Sequence, residues 1–273
     1  MNIRTCFVAG LLGVLLAVVA GCSSPATVSG GDAKPEAAAP TVRVLSYNIH
    51  HGEGVDGVLN LVRIAELIKA SDADLVALQE LDERTTRTGG VDQLGELARL
   101  TGMHAAFAPF MNFQGGRYGL GLLSKYPIAQ AMPIALPPGR REPRSALAVT
   151  VLVPGLGELV FVSVHLDWLD DDAERFEQAK VLIATLANRS RVIVAGDCND
   201  VPGSRTIHLF EKSYFSVPKT VGGHATFPSD SPVREIDFVW VRPGKRLIAT
   251  GGVINEQFAS DHRPVFANIT WVP

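Results

Sequence analysis

Hydrophobic positions along this chain fall into short runs, and one run after another stops at polar residues. Val42-Arg43-Val44-Leu45-Ser46-Tyr47 has the pattern of a strand and ends at Asn48-Ile49-His50-His51-Gly52. Val58, Leu61, Ile64, Ala65 and Ile68 then recur at helical spacing. Asp74-Leu75-Val76-Ala77-Leu78-Gln79 predicts a short buried strand ending at Glu80, and a second helix is expected over 93–100, stopped by Thr101-Gly102. Strands are also expected over 118–124, 145–153 and 158–164; the Pro154-Gly155-Leu156-Gly157 turn makes the last two a hairpin that runs into His165. Asp171-Asp172-Ala173-Glu174 has the pattern of a capping box, and Phe176, Ala179, Leu182, Ile183 and Leu186 form the buried face of the helix behind it. Val192-Ile193-Val194-Ala195 is an apolar strand that runs straight into Gly196-Asp197-Cys198-Asn199-Asp200. Strands at 236–241 and 265–271 complete the pattern, the last one preceded by Ser260-Asp261-His262-Arg263-Pro264.

The strand-edge polar groups are Asn48, Glu80, His165, Asp197 with Asn199, Asp237, and Asp261 with His262. Each alone has an ordinary explanation as a turn former, a helix cap or a satisfied histidine. Carboxylates, amides and imidazoles gathered at the ends of separate strands are harder to explain as turns, because strand ends are where folds place chemistry. Carboxylate and amide oxygens suit Mg²⁺ or Mn²⁺, whereas zinc favours more histidine or cysteine. The His50-His51 pair lacks the spacing of a zinc helix motif, and Val201-Pro202 interrupts any calcium loop begun at Asp197. Neither a Gly-x-Ser-x-Gly elbow nor a Walker-type glycine loop occurs. A divalent metal flanked by His and Asp fits attack of water on a phosphate ester.

Composition narrows the partners. With 273 residues and a formal net charge of −3, the chain has the length of one large α/β domain and no basic footprint for a nucleic-acid backbone. A positive start, Met1-Asn2-Ile3-Arg4, precedes an apolar run over 6–21 that is short for a membrane span. That run ends in Val19-Ala20-Gly21-Cys22-Ser23-Ser24, which resembles a bacterial lipobox. The expected organisation is a signal peptide over 1–21, a flexible tether over 22–40 lipidated at Cys22, and a catalytic domain over 41–273. Several acyl chains would hold the protein stably on the cell envelope, at the outer membrane of a diderm source. With Cys6 removed and Cys22 acylated, Cys198 has no partner for an internal disulfide. A monomer is expected.

Seven blocks carry a resemblance: Leu45-Ser46-Tyr47-Asn48, Leu78-Gln79-Glu80, Tyr118-Gly119 with Leu122-Leu123-Ser124, Ser163-Val164-His165-Leu166, Gly196-Asp197-Cys198-Asn199, Ile236-Asp237-Phe238 and Ser260-Asp261-His262. In this order they resemble the endonuclease/exonuclease/phosphatase superfamily. The resemblance implies a four-layer α-β-β-α sandwich of two packed mixed sheets flanked by helices. It implies Glu80 as principal metal ligand for Mg²⁺ or Mn²⁺, with Asn48 and Asp261 in or near the metal shell. Asp197 resembles the residue that orients or deprotonates the attacking water, and Asn199 the amide that holds phosphate or a second metal. His165 and His262 would donate to phosphoryl oxygens, Asp237 would pair with His262, and Tyr118 and Arg144 resemble further phosphate contacts.

Three positions depart from the pattern. His50 stands where several nucleases of the superfamily carry an acidic metal-shell residue, Leu120 where many members carry an asparagine, and Cys198 where an aromatic or aliphatic residue is usual. The first two weigh against a nuclease. The leading expectation is therefore a metal-dependent phosphoesterase acting on diesters or monoesters of lipids, sugars or polyols. An extracytoplasmic nuclease and an inactive binding lipoprotein are the alternatives, with nucleic acid a less favoured partner. Asp200 is expected to shape the turn into Pro202-Gly203, and Cys198 to pack. Specificity is expected in loops 84–90, 111–117, 136–143 and 222–232.

Overall fold

The computed structural model describes residues 39–244 and 246–272, so the leader, Cys22 and most of the tether lie outside the described residues. The first half of the domain runs β1 (Thr41–Asn48), α1 (Leu61–Ala70), β2 (Leu75–Glu83), α2 (Gln93–Thr101), β3 (His104–Phe113), β4 (Gly116–Ser124), β5 (Ile128–Ala135) and β6 (Ser145–Val153). It continues through β7 (Gly157–His165), α3 (Ala173–Thr185), β8 (Val192–Asp197), α4 (Arg205–Glu211), β9 (Phe215–Ser216), β10 (Lys219–Val221), β11 (Asp237–Val241), β12 (Leu247–Val253) and β13 (Val265–Trp271). A seven-stranded sheet has the order β10-β12-β13-β1-β2-β4-β3, and a six-stranded sheet the order β5-β6-β7-β8-β11-β9. Both mix parallel and antiparallel pairs.

Strand alternation builds the layers. In β1, Val42 and Val44 enter the core between the sheets, while Leu45 and Tyr47 pack on the opposite face with Ile64 and Ile68 of α1 and Leu94 and Leu97 of α2. In β8, Ile193 and Ala195 face the inter-sheet core, while Val192 and Val194 meet Ala179 and Leu182 of α3 and Phe210 of α4. Helices thus cover both outer faces, giving the four-layer α/β sandwich expected from the sequence.

Several local expectations need correction. Val58 precedes α1 and is exposed, because Asn60 caps the helix by accepting from the Arg63 N–H. The Asp171–Glu174 pattern does not form a capping box. Asp172 binds Arg205 at 2.6 and 2.8 Å and Glu174 pairs with Arg140 at 2.5 Å, so both carboxylates are drawn away from the helix end. Residues 111–117 form the tip of the β3–β4 hairpin. β3 and β5 are edge strands that carry Pro109 and Pro133, and β12 contains Gly251-Gly252; these residues mask strand periodicity. Asp200 does receive the Val201 N–H at 3.0 Å, but it is also buried and ion-paired to Arg175 at 2.9 Å. Cys198 packs in the core beneath α3 and α4.

Candidate active site

The polar groups sit at one edge of the inter-sheet core, on the next core-facing positions after its apolar residues. Asn48 follows Val44 and Ser46 on one face of β1, and Asp197 follows Ile193 and Ala195 on one face of β8. Tyr118 precedes Leu120 and Leu122 on β4, and Asp237 precedes Val239 and Val241 on β11. Sheet register then fixes the neighbours. His165 of β7 and Asp237 of β11 both lie opposite Asp197, one on each side. The close packing requires Gly196, where a Cβ would come within 1.9 Å of the Val164 carbonyl oxygen.

Glu80 is the exception, and its backbone explains it. Simple alternation would turn Glu80 outward with Val76 and Leu78, both of which pack against the outer helices. Pairing of β2 with β4 slips between Leu78 and Leu81, and Glu80 adopts φ 62°, in the left-handed region. The bulge rotates the carboxylate to the inner side, where the Asn48 amide donates to it at 3.0 Å. Asn199 and His50 also hold positive φ, 50° and 45°, and both line the same cavity. Non-glycine residues in this region cost about 1–3 kcal/mol each, and such conformations cluster at functional sites.

The cavity has a volume of about 420 Å³ and contains Glu80, Tyr118, Arg144, His165, Asp197, Asn199, Asp261 and His262 in its walls. Asn48 lies beneath it, donating to Glu80 and to Asp197 at 3.2 Å while its own oxygen accepts the His50 N–H at 3.1 Å. Asn48 thereby ties the carboxylates of the two sheets together. Asp237 accepts from His262 Nδ1 at 2.9 Å, and His262 Nε2 lies 3.6 Å from Asp197. The Asn199 backbone N–H donates to Asp197 at 2.8 Å. Buried Arg144 contacts Glu142 at 3.2 Å and His165 Nδ1 at 3.5 Å, and its guanidinium lies over Phe110. His165 Nε2 faces the Asn199 amide nitrogen at 3.0 Å. The Asn199 amide nitrogen also donates to the Leu166 carbonyl at 3.1 Å. With its other hydrogen on His165 Nε2, the neutral ring keeps its own hydrogen on Nδ1, so that the 3.5 Å approach of Arg144 is a packing contact and not a hydrogen bond.

Electrostatics separate the roles. Burial and the nearby Asp237 carboxylate push Asp197 up to about 7, outweighing the pull of His262. Burial works against charge on His262, but Asp237 and Asp197 more than reverse this and bring its pKa up to about 10. His165 is held well below the ordinary imidazole value by burial and by Arg144. Burial also opposes ionisation of Glu80, yet His165, the Asn48 amide and His262 together lower it to about 2. His165 acts in that sense only when protonated, a form its surroundings disfavour. At neutral pH the amide and the His262 imidazolium carry the effect. Tyr118 is pushed well above the usual phenol value, chiefly by burial and by Glu80.

Among the described residues, two places in this cavity have donor sets that could hold a cation. Asp197, Asp237 and His262 bring ligand-type atoms within 4.8 Å of one another. There, however, the Asp237 bond and the raised proton affinity of His262 favour a proton over an ion. The ionised Glu80 carboxylate, facing the cavity with Asp261, is a hard oxygen set that suits Mg²⁺ or Mn²⁺ better. A second hollow of about 430 Å³ lies at the far end of the strands, lined by Pro40, Arg191, Arg242 and Trp271, with no carboxylate or imidazole in its walls.

Five further cavity residues, His50, Glu142, Trp168, Phe227 and Arg234, were not among the expected site residues. Glu142 and Phe227 fall in two of the four expected specificity loops. Trp168 has a sequence signal, an aromatic three residues beyond His165 that stays 48% exposed at the cavity wall. Loop 84–90 does not line the cavity; its Arg87, paired with buried Asp82 at 2.7 Å, lies over the rings of Phe113 and Tyr118.

Comparison with known proteins bears on the family and the fold. The family model described as "Endonuclease/Exonuclease/phosphatase family" matches residues 45–262. A protein from Beutenbergia cavernae described as an endonuclease/exonuclease/phosphatase is 26% identical with a TM-score of 0.70, over 84% of this chain and 71% of that one. A mannosyl-6-phosphatase of Bacteroides thetaiotaomicron shares the fold at 17% identity and TM-score 0.69, over 84% of this chain and 100% of its own. The catalytic domain of human Nocturnin, solved with a bound sulfate anion, shares it at 20% identity and TM-score 0.68, over 85% and 94%.

Proposed function

This chain belongs to the endonuclease/exonuclease/phosphatase family, whose members hydrolyse phosphoester bonds, and from that premise we propose that it is a divalent-metal-dependent phosphoesterase acting on esters of sugars or polyols. The observation that carries the reading is Asp197, flanked in register by His165 and Asp237 and faced by His262, across a small cavity from an ionised Glu80.

Glu80 and Asp261 would hold the cation, with Asn48 orienting Glu80, and the bound ion would supply positive charge against the phosphoryl oxygens. Asp197, with a pKa of about 7, accepts a proton from the attacking water as the water oxygen bonds phosphorus and the bond to the leaving group breaks, the departing alkoxide taking its proton from solvent in the open cavity. The Asn48 amide and the Asn199 backbone N–H fix the position of that carboxylate. His262, kept protonated and aimed by Asp237, offers its Nε2 proton to a phosphoryl oxygen as charge accumulates. Arg144, on the cavity wall beside His165, completes the phosphate cradle, while the Asn199 amide nitrogen is held by His165 Nε2 and the Leu166 carbonyl.

The size and wall chemistry of the cavity support a compact leaving group. A volume of about 420 Å³ suits a phosphate with one ring, and Trp168 offers an aromatic face to that ring. Glu142 beside Arg144 disfavours a polyanionic nucleic-acid strand. Assays of the full-length protein in detergent on bis-p-nitrophenyl phosphate, p-nitrophenyl phosphate and a panel of sugar and polyol phosphates test the reading. Turnover should require Mg²⁺ or Mn²⁺, stop with EDTA, and be lost in Asp197→Asn. Trp168→Ala should raise KM on the sugar esters about tenfold with kcat little changed, roughly the 1.4 kcal/mol available from one aromatic contact. Absence of metal-dependent turnover across the panel would refute it.

Attachment to the cell envelope through a lipid on Cys22 is part of the same proposal and rests on the sequence. Cys22→Ala should move the protein from the membrane fraction to the soluble fraction; unchanged partitioning would remove the anchor.

A further inference from the structure

We propose that the second hollow, at the far end of the strands, docks the phosphate groups of anionic lipids and sets the domain on the membrane with its catalytic cavity facing away. This rests on the envelope attachment proposed above and adds an orientation to it. The hollow, of about 430 Å³, has Arg191, Arg242 and Arg246 in its wall together with Pro40 and Trp271, and no acidic side chain among the described residues. Arg191 is exposed and forms no ion pair among those residues, whereas neighbouring Arg189 is held by Glu158 at 3.6 Å. Arg242 is fixed by uncharged partners: it donates to the Ala187 and Leu186 carbonyls at 3.0 and 3.2 Å and to the Tyr214 hydroxyl at 3.0 Å. Its Nε is buried without a hydrogen-bond partner. No carboxylate among the described residues answers these two charges, and a guanidinium is well matched to phosphate oxygens.

The strands set this hollow opposite the catalytic cavity. Arg191 precedes β8 and Asp197 ends it; Arg242 follows β11 and Asp237 begins it. Pro40 precedes β1, which ends at Asn48, and Trp271 ends β13, which His262 precedes. At ~3.3 Å per residue along β8, Arg191 lies about 20 Å from Asp197. Pro40 is also where the proposed tether joins the domain. The stretch over 23–39 has the Ala, Pro, Ser and Gly content of a linker, and a linker of that length spans roughly 20–25 Å. Such a tether keeps the domain near the bilayer without choosing which face meets it. Charge makes the choice, since each arginine beside an anionic bilayer contributes about fivefold in affinity. Half-buried Trp271 at the same hollow is of the type that settles at headgroup level. Docked in this way, the cavity opens to water, which suits soluble sugar or polyol esters rather than lipids of the same bilayer.

The test uses the full-length Cys22→Ala chain, which lacks the proposed lipid site, with vesicles of phosphatidylcholine alone or mixed with phosphatidylglycerol. Co-sedimentation should show tighter binding to the mixed vesicles at low salt, and the preference should vanish at high salt. Adding Arg191→Glu should reduce the preference by about fivefold or more. Adding Arg84→Glu instead, an equal change of charge just after β2 at the catalytic end, should leave it unchanged. The leader is common to all these chains and cancels in the comparison. No preference for the mixed vesicles, or an equal loss in Arg84→Glu, overturns the docking site. Hydrogen exchange around Arg191 and Arg242 that glycerol 3-phosphate slows as strongly as mixed vesicles would make the hollow a site for free phosphate esters and overturn the membrane assignment. Fractionation of the wild type tests the lipid anchor separately, so either reading can fail alone.

Discussion

Replacing Asp237 with Asn isolates the contribution of one charge to the site. Asp237 is buried, accepts from His262 Nδ1 at 2.9 Å, and has its other carboxylate oxygen without a hydrogen-bond partner. The substitution keeps shape and removes the charge. His262 now stands at about 10 against an ordinary 6.5, despite burial that works the other way. At ~1.4 kcal/mol per tenfold change in proton affinity, this amounts to roughly 5 kcal/mol in favour of the imidazolium. Asp197, 3.6 Å away on the other ring nitrogen, remains in Asp237→Asn, so part of that preference survives. The expected fall in the His262 pKa is two units or more, with a loss of kcat on the order of 10²–10³-fold, in the range for a proton donor lost from the transition state. Long-range ¹H–¹⁵N NMR of the metal-free protein follows the ring directly, and the pH–rate profile should show its alkaline limb move down by the same amount. A His262 ring that titrates near 6.5 in wild type, or near 10 in Asp237→Asn, would refute the reasoning.

The pH dependence of wild type should be bell-shaped in kcat/KM, rising through about 7 as Asp197 loses its proton and falling through about 10 as His262 loses its own. Both folded-state values lie above the ordinary 3.8 and 6.5, so the associated stability is present at low pH and declines as pH rises, from about 4 to 7 for Asp197 and from 6.5 to about 10 for His262. Urea midpoints should therefore fall across the same interval in which activity appears; a flat stability profile would contradict the assignment. Saturating Mn²⁺ or Mg²⁺ should raise Tm, with about 2.7 kcal/mol of stabilisation at a hundredfold excess over Kd, and Glu80→Gln should abolish both the shift and turnover. Arg175→Ala leaves the Asp200 carboxylate buried without its 2.9 Å partner, and should cost about 3–5 kcal/mol in urea unfolding. A change below 1 kcal/mol would show that water reaches Asp200.

How much of the site was legible in the sequence depended on the backbone at each residue. Asn48, Asp197 and Asp237 continue a period-two pattern at the edge of an apolar strand, so reading strand ends for polar residues finds them directly. Glu80 is different: alternation alone places it on the outer face, and only the bulge and φ 62° bring it inward. His50 was visible as a departure from the family pattern, but the direction of its ring depends on a carbonyl contact that sequence does not encode locally. Edge strands β3 and β5 were obscured by proline, and the Arg175–Asp200 pair joins α3 to the turn after β8 across 25 positions. The four layers, in contrast, follow from opposite faces of the same strands being apolar, a property each strand carries in its own sequence.

The Ser260 hydroxyl donates to the Asn48 carbonyl oxygen at 2.7 Å, across 212 positions, and β13 pairs with β1 along its length. Synthesis delivers Asn48 early, and the Asp261-His262 corner close to the end. Glu80, His165 and Asp197 can all be present in a growing chain while the base still lacks its acid partner. On the proposed roles, the site is completed only when β13 closes onto β1, and a chain shortened before Ser260 would lack both His262 and the bond that joins the two strand ends.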